Sequence, residues 1–493
     1  MNKASGGTGM KAHSLTDRLR ALEPLTRPLE PDARERAAMT RDVIAHAEAF
    51  LSWMDAAPAY VPEEGPSNAL ASAPIGGPPI GLDRSLSLLE RHVDRGGHNT
   101  TASGFYAYIP VGNVYLADLG EYLGAVTNRF SGSVMGSAGA VAIENQVLRW
   151  LASRVGYSAA SGGNLQSGGS MANLSAIVIA REAAGIKARD VERSVVYLTE
   201  QTHHCLTKGL RVAGMGECVV RKIPVDDRYR MIAAQLEAAV VEDAGAGRIP
   251  WLVVGTAGTT DTGAVDPLED IASIAADHRL RFHCDGAYGG AFVLCAEGKR
   301  ILRGMERSDS VAIDAHKGLF VPFGVGALLV KDGAAMRAAY SFQANYIPRT
   351  DAGEEASPMD LSPELSRPFR ALRMWLPLQV LGTAPFEAAL EEKLLLARYA
   401  HGLLREMDRV EVGPEPDLSV VVFRAMPKRG DPDKFNERVM GRILEDGRIS
   451  VSPTILKGAR YLRLAVLSPR THKDSIDLAV RVIDEAIRQA GSE

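Results

Sequence analysis

The chain has 493 residues, 46% hydrophobic and 24% charged. That is the composition of a soluble globular protein with room for a large core and about three structural units, and it excludes a mostly disordered chain. A net charge of −4 excludes the globally basic surface that advertises nucleic acid or acidic lipid. Cys205, Cys218, Cys284 and Cys295 are too few for a disulfide framework and contain no CxxC pair, so a reducing compartment is expected. Met1–Leu15 lacks the apolar segment of a secretory signal, and no apolar run approaches the ~18 residues of a membrane helix. These features point to a cytoplasmic protein.

The first dozen residues read as a tail. Residues 14–56 carry apolar positions at helical spacing, among them Val43, Ala47, Phe50 and Leu51. Pro58–Gly81 is too rich in breakers for regular structure and reads as a connector or arm. Helical spacing resumes at Leu82, Leu86, Leu89 and Val93. A helix is predicted over Met171–Ala184. Short apolar strands are predicted at Ser194–Leu198, Cys218–Ile223, Trp251–Gly255, Arg281–Cys284, Ser310–Ile313 and Gly326–Val330, with a helix such as Met231–Val241 between some of them. This alternation predicts an α/β domain with a largely parallel sheet, whose ligands bind at the carboxyl ends of strands. A long helix at Pro385–Asp408, strands at Leu418–Phe423 and Tyr461–Val466, and a helix at Lys473–Gln489 predict a smaller α+β domain.

Four polar clusters could carry chemistry. In Leu165–Asn173 a Gly168-Gly169-Ser170 turn runs into a helical pattern, which suits an anion held by backbone N–H groups at a helix N-terminus. Taken alone, the motif is better explained by an ordinary N-cap at Ser167 or Ser170. His203-His204 follows a predicted strand and could cover a ring or move a proton; a histidine satisfied by the fold is the plain alternative. No third histidine stands at ligand spacing, so no metal is expected. Asp285 ends a strand before Gly286-Ala287, where it would face the ligand crevice or simply start a turn. His316-Lys317 ends another strand, where a lysine is either a Schiff-base nucleophile or a solvated loop residue.

Pyridoxal phosphate needs all of these roles together: a helix N-terminus for phosphate, a lysine for the aldehyde, and a carboxylate for the pyridine nitrogen. With these motifs the chain resembles the group II pyridoxal-phosphate decarboxylases (aromatic-amino-acid, histidine and glutamate decarboxylases) from about Ser103 to Trp375. A weaker match lies near Tyr461–Arg470. Phe105–Pro110 resembles the family's substrate-pocket segment, Ala142–Leu151 the helix after it, and Phe369–Trp375 the helix start after the catalytic loop. The resemblance implies fold type I (aspartate-aminotransferase-like). A tail and helical arm at 1–102 would precede a large cofactor domain at 103–384 and a small C-terminal domain at 385–493. It further implies that Lys317 forms the Schiff base and that Asp285 pairs with the pyridine nitrogen. His203, rather than His204, would stack on the ring, with Ala287 on the other face. Gly169 and Ser170 would hold the phosphate with His316 nearby, and Thr260 would lie on the Asp285 side. A homodimer is implied as well, with residues near Asn128–Phe130 reaching the partner's site.

One feature departs from the family. Its mobile loop carries a tyrosine that donates the proton completing decarboxylation, but Arg349–Ser366 contains no tyrosine. An ungapped count back from Phe369 puts Pro358 at that place, and Tyr346 lies just upstream. Glu354, Glu355, Pro358 and Asp360 suit an exposed lid. The expected reaction is decarboxylation of an L-amino acid to amine and CO2. The rivals are an aldehyde synthase, a carbon–carbon lyase, and a non-catalytic homologue. Tyr106, Tyr108, Ile109 and Val111 would suit an apolar or aromatic substrate, and Asn128 and Arg129 an acidic one.

Overall fold

The centre of the large sheet is built from strands rich in apolar residues that are buried on both faces. In the computed structural model, which describes residues 9–54, 56–62, 70, 75–341 and 356–492, the seven strands of this sheet are β1 (Gly162–Gln166), β2 (Ser194–Thr199), β3 (Val219–Ile223), β4 (Ile249–Thr256), β5 (Arg281–Asp285), β6 (Ser310–Asp314) and β7 (Gly326–Val330). Their order is β1-β7-β6-β5-β4-β2-β3. β2, β3, β4, β5 and β6 pair in parallel, and β7 runs against β6 and β1. Alternation sends Val195, Tyr197, Val253 and Phe282 into one core, and Val196, Leu198, Leu252 and Val254 into another. The parallel arrangement places the ends of β5 and β6 on one rim, which positions the site.

β1 was absent from the sequence expectations because its Gly-Gly-Asn-Leu-Gln has no apolar run. It is held as an edge by antiparallel pairing with β7, Gly162 opposite Val330 through Gln166 opposite Gly326. A buried ion pair secures it further. Leu165 N–H donates to Glu144 Oε1 at 3.1 Å, and its carbonyl accepts from Arg367 and, at 3.2 Å, from Arg370. Arg367 Nη1 stands 2.7 Å from the same Glu144 oxygen, and both side chains are fully buried. Asn164 Nδ2 donates to the Pro358 carbonyl at 3.1 Å.

The second sheet is antiparallel: β8 (Val410–Val412), β9 (Val420–Ala425), β10 (Ser452–Leu456) and β11 (Ala459–Ala465), in the order β8-β9-β11-β10. Helices Ala384–Glu406, Pro432–Asp446 and Lys473–Ala490 supply core residues that meet Phe423, Leu462 and Leu464. β8 and β10 also escaped the sequence expectations. β8 is only three residues long, and β10 alternates exposed and buried residues with a Pro at its second position.

The described residues of 1–57 and 63–97 form a separate compact unit. It holds helices Gly9–Thr26, Ala33–Met54 and Leu82–Leu89, with a 3-10 turn at Arg27–Leu29. His46 Nε2 meets Asp94 at 2.8 Å, and Arg95 lies over Trp53 at 5.1 Å. Much of the breaker-rich 58–81 stretch lies outside the described residues. Among the described residues, no helix is long and apolar enough to cross a membrane.

Arg367→Ala would leave the Glu144 carboxylate buried without its partner, a loss of ~3–5 kcal/mol. Denaturant unfolding should show that loss; an unchanged midpoint would mean the clamp does not hold β1.

Candidate active site

Three strand ends deliver the polar clusters to one cavity. β1 leads into the Ser167–Ser170 turn, β5 ends at Asp285, and β6 ends at Asp314 before the helical turn Ala315–Gly318. Lys317, His316, Asp285, Ala287, His203, Thr260, Gly169 and Ser170 all line this cavity of about 430 Å³, together with Gly168, Cys205, Tyr288, Asp314 and Phe323. His204 does not line it.

The glycine turn is shaped by close approach. Gly168 has φ +153, at the extreme of the region L residues avoid. A Cβ on Gly169 would stand 2.8 Å from Ala287 Cβ and 2.9 Å from Asp314 Oδ2. Helix Gly169–Ala183 begins there, with Gly168, Gly169 and Ser170 lining the cavity; a helix N-terminus of this kind suits an anion.

Lys317 Nζ lies 2.9 Å from Asp314 Oδ2. Asp285 is buried and accepts the Ala287 N–H at 3.2 Å on Oδ1. Burial lowers the pKa of His203, aided by His204 beside it. Its Nδ1 accepts the Cys205 N–H at 3.3 Å, so the neutral ring carries its proton on Nε2. Burial also lowers the pKa of His316, whose Nδ1 donates to the Val325 carbonyl at 2.9 Å. Thr260 presents its carbonyl to Arg463.

Behind Asp285 runs a buried chain of polar groups that sequence reasoning missed. His283 Nδ1 meets Ser310 Oγ at 2.8 Å and Nε2 meets Asn173 Oδ1 at 2.8 Å; Asn173 Nδ2 donates to Cys205 Sγ at 3.3 Å. Burial holds the His283 pKa down at about 4 and pushes the Cys205 thiol up to about 12. The chain ties helix Gly169–Ala183 to β5 and β6. A signal was present: Asn173 lies in the glycine-turn motif, and His283 sits two residues before Asp285 on the same strand face. Asp314 was also passed over, although it stands one helical turn before Lys317.

Other candidates fall elsewhere. Tyr106 is fully buried, with its hydroxyl donating to the Ser475 carbonyl at 3.0 Å. Tyr108 is exposed with φ +55. Neither these nor Ile109, Val111, Asn128 or Arg129 line the cavity. Asn128 is the left-handed cap of helix Tyr115–Thr127. Pro358 is buried, and its carbonyl accepts from Asn164 and Ser362, so it packs on β1 rather than forming the tip of an exposed lid. Tyr346, Glu354 and Glu355 lie outside the described residues.

A sequence profile described as the pyridoxal-dependent decarboxylase conserved domain matches residues 89–426. The chain is similar to an aromatic-L-amino-acid decarboxylase of Bacillus atrophaeus, 33% identical over 392 residues covering 78% of this chain and 81% of that one. It is similar to a phenylacetaldehyde synthase of Petunia hybrida, 29% identical, covering 84% and 85% of the two chains. Its fold is similar to the crystal structure of Oryza sativa TDC with PLP and tryptamine. That match has a TM-score of 0.88 and 26% identity, covering 94% of this chain and 99% of that one.

Because His283 has its pKa depressed to about 4, its contribution to stability is full above the unfolded value of ~6.5. That contribution is lost as the pH falls toward 4. Unfolding midpoints from pH 7 to pH 4 should drop less in His283→Gln than in the parent. Parallel curves would show that His283 does not titrate in this window.

Proposed function

The chain belongs to the pyridoxal-dependent decarboxylase family, and from that premise we propose that it removes the α-carboxylate of an L-amino acid as CO2, with Lys317 as the lysine that holds the cofactor. Pyridoxal 5'-phosphate is the cofactor of this family, and the enzyme class is carboxy-lyase. The cavity suits that group on its own terms. At Gly169 there is no room for a side chain, and Gly168 has φ +153, which reserves backbone for close approach. A lysine, Lys317, and a buried carboxylate, Asp285, line the same cavity.

When bound, the cofactor draws electrons from the substrate Cα, so that the bond to the carboxylate can break. Lys317 Nζ would supply the amine for the aldehyde. The Gly169 and Ser170 backbone and the Ser170 hydroxyl would hold the phosphate, with His316 nearby. Asp285, buried and acceptor-only when ionised, would keep a proton on the pyridine nitrogen. His203, its pKa lowered by burial, would stack on the ring and hold or move a proton at Nε2, with Ala287 on the other face and Thr260 on the Asp285 side. The observation that carries this reading is the meeting of Lys317, Asp285 and the glycine turn on one cavity.

We further propose a homodimer with sites at the interface, to which Asn128–Phe130 contribute. Exposed Leu15, Leu19, Leu22 and Val43 on the arm and exposed Phe130 support it, since such stripes are normally covered. Division into 1–102, 103–384 and 385–493 is supported by the two larger sheets, which lie within the second and third segments. A cytoplasmic setting is supported by four unpaired, buried cysteines, and the substrate is a small molecule rather than nucleic acid or membrane.

A second reading is an aldehyde synthase. The Petunia relative bears that activity in its name, and Arg349–Ser366 lacks a tyrosine. An amino-acid panel scored for CO2, amine, aldehyde, ammonia and oxygen separates the two: decarboxylation gives amine without oxygen use, whereas the synthase consumes oxygen and releases ammonia. Asp285→Ala should lose most turnover, on the order of 100-fold or more, with the fold retained by circular dichroism. Near-normal turnover would refute its role.

A further inference from the structure

The groups that would hold the cofactor stand on three elements. Gly169 and Ser170 open helix Gly169–Ala183, Asp285 ends β5, and Lys317 follows the end of β6. β5 and β6 pair directly, His283 opposite Ser310 and Asp285 opposite Ala312, so backbone fixes Asp285 relative to Lys317. The helix enters from β1, which lies beyond β7 and β6 in the sheet. Side chains tie it to β5 at both ends. Arg281 Nη2 donates to the Ala183 carbonyl at 3.0 Å at the far end, and His283 Nε2 meets Asn173 Oδ1 at 2.8 Å one turn in from Gly169.

The near tie has one consistent set of protons. Asn173 Nδ2 donates to Cys205 Sγ at 3.3 Å, so Oδ1 is left to accept from His283 Nε2. Burial holds the His283 pKa at about 4 and keeps the ring neutral. With its proton on Nε2, the ring accepts at Nδ1 from the Ser310 hydroxyl, 2.8 Å away on β6. Both His283 and Asn173 are buried. A ring bonded at both nitrogens has one orientation, and any movement of the helix along β5 would leave buried polar groups unpaired. Asn173 and Cys205 line the cofactor cavity, but His283 does not.

Resting on the pyridoxal-phosphate reading above, we propose that His283 is a positioning residue: its bond to Asn173 sets the separation between the phosphate end of the site, on the helix, and the ring end, at Asp285 and Lys317. A ligand that engages both ends depends on that separation, because the second contact forms within an already bound complex. A ligand that engages one end does not. The role is spacing alone, and no bond forms or breaks at His283 when the ligand binds. This is the support that a preorganised site needs from residues behind it.

The test is the affinity of full-length, cofactor-free protein for three probes: pyridoxal 5'-phosphate, pyridoxal and inorganic phosphate. The first two are followed by absorbance, and phosphate by its competition with pyridoxal 5'-phosphate. His283→Leu fills the space without ring nitrogens. It should bind pyridoxal 5'-phosphate about 10- to 100-fold more weakly than the parent, with pyridoxal and phosphate bound as before. His283→Gln, which can donate to Asn173 and accept from Ser310, should recover most of that loss. Unchanged affinity for pyridoxal 5'-phosphate in His283→Leu would overturn the proposal. So would an equal loss for all three probes, which marks a generally loosened fold. If His283→Leu does not fold, Asn173→Leu cuts the same bond from the helix side and the same comparison decides. A parent protein that takes up no pyridoxal 5'-phosphate would refute the underlying reading instead.

Discussion

Asp314 reaches Lys317 across 2.9 Å at the end of β6, beside a turn in which Gly169 has no space for a side chain. The ion pair and the turn meet because β1 and β6 end at the same rim with β7 between them. The register supplies this: Gln166 and Asp314 both stand opposite Gly326. A Cβ on Gly326 would strike Gly168 backbone at 2.6 Å. The lysine, the aspartate and the anion-binding turn are thus fixed by one strand crossing rather than by flexible loops.

The price of that arrangement is an edge strand made of glycine and polar residues, and the fold meets it with buried charge. Glu144 and Arg367 close on the Leu165 backbone from a helix and from the segment after residue 355. Their pairing satisfies backbone groups that an apolar edge would leave exposed. A second polar chain, Ser310–His283–Asn173–Cys205, locks the helix that carries the turn to the strand that carries Asp285. Both networks lie outside the reacting space, yet both determine where its donors and acceptors stand.

Most strands that were legible in the sequence are short runs of apolar residues, such as Val195–Leu198 and Leu252–Val254, because burial on both faces demands such runs. Gly162–Gln166 was illegible because its stability comes from partners distant in sequence, Glu144, Val330 and Arg367. The polar motifs of the site could be read because their chemistry requires particular residue types at strand ends. Asp314 directly follows the predicted strand Ser310–Ile313, yet only the folded chain shows that it lies against Gly169. The expectation that Tyr106 lines a substrate pocket failed because its ring packs among Phe423, Leu462 and Leu464. A phenol with one backbone acceptor is an ordinary core residue.

The central claim is that Lys317 is the residue that holds pyridoxal 5'-phosphate. Its most direct measurement is borohydride reduction of the cofactor-loaded protein, followed by peptide mass mapping. The account predicts one phosphopyridoxyl group per chain, on the peptide containing Lys317. A group fixed on another lysine, or no fixed group in protein that carries the cofactor, would contradict it.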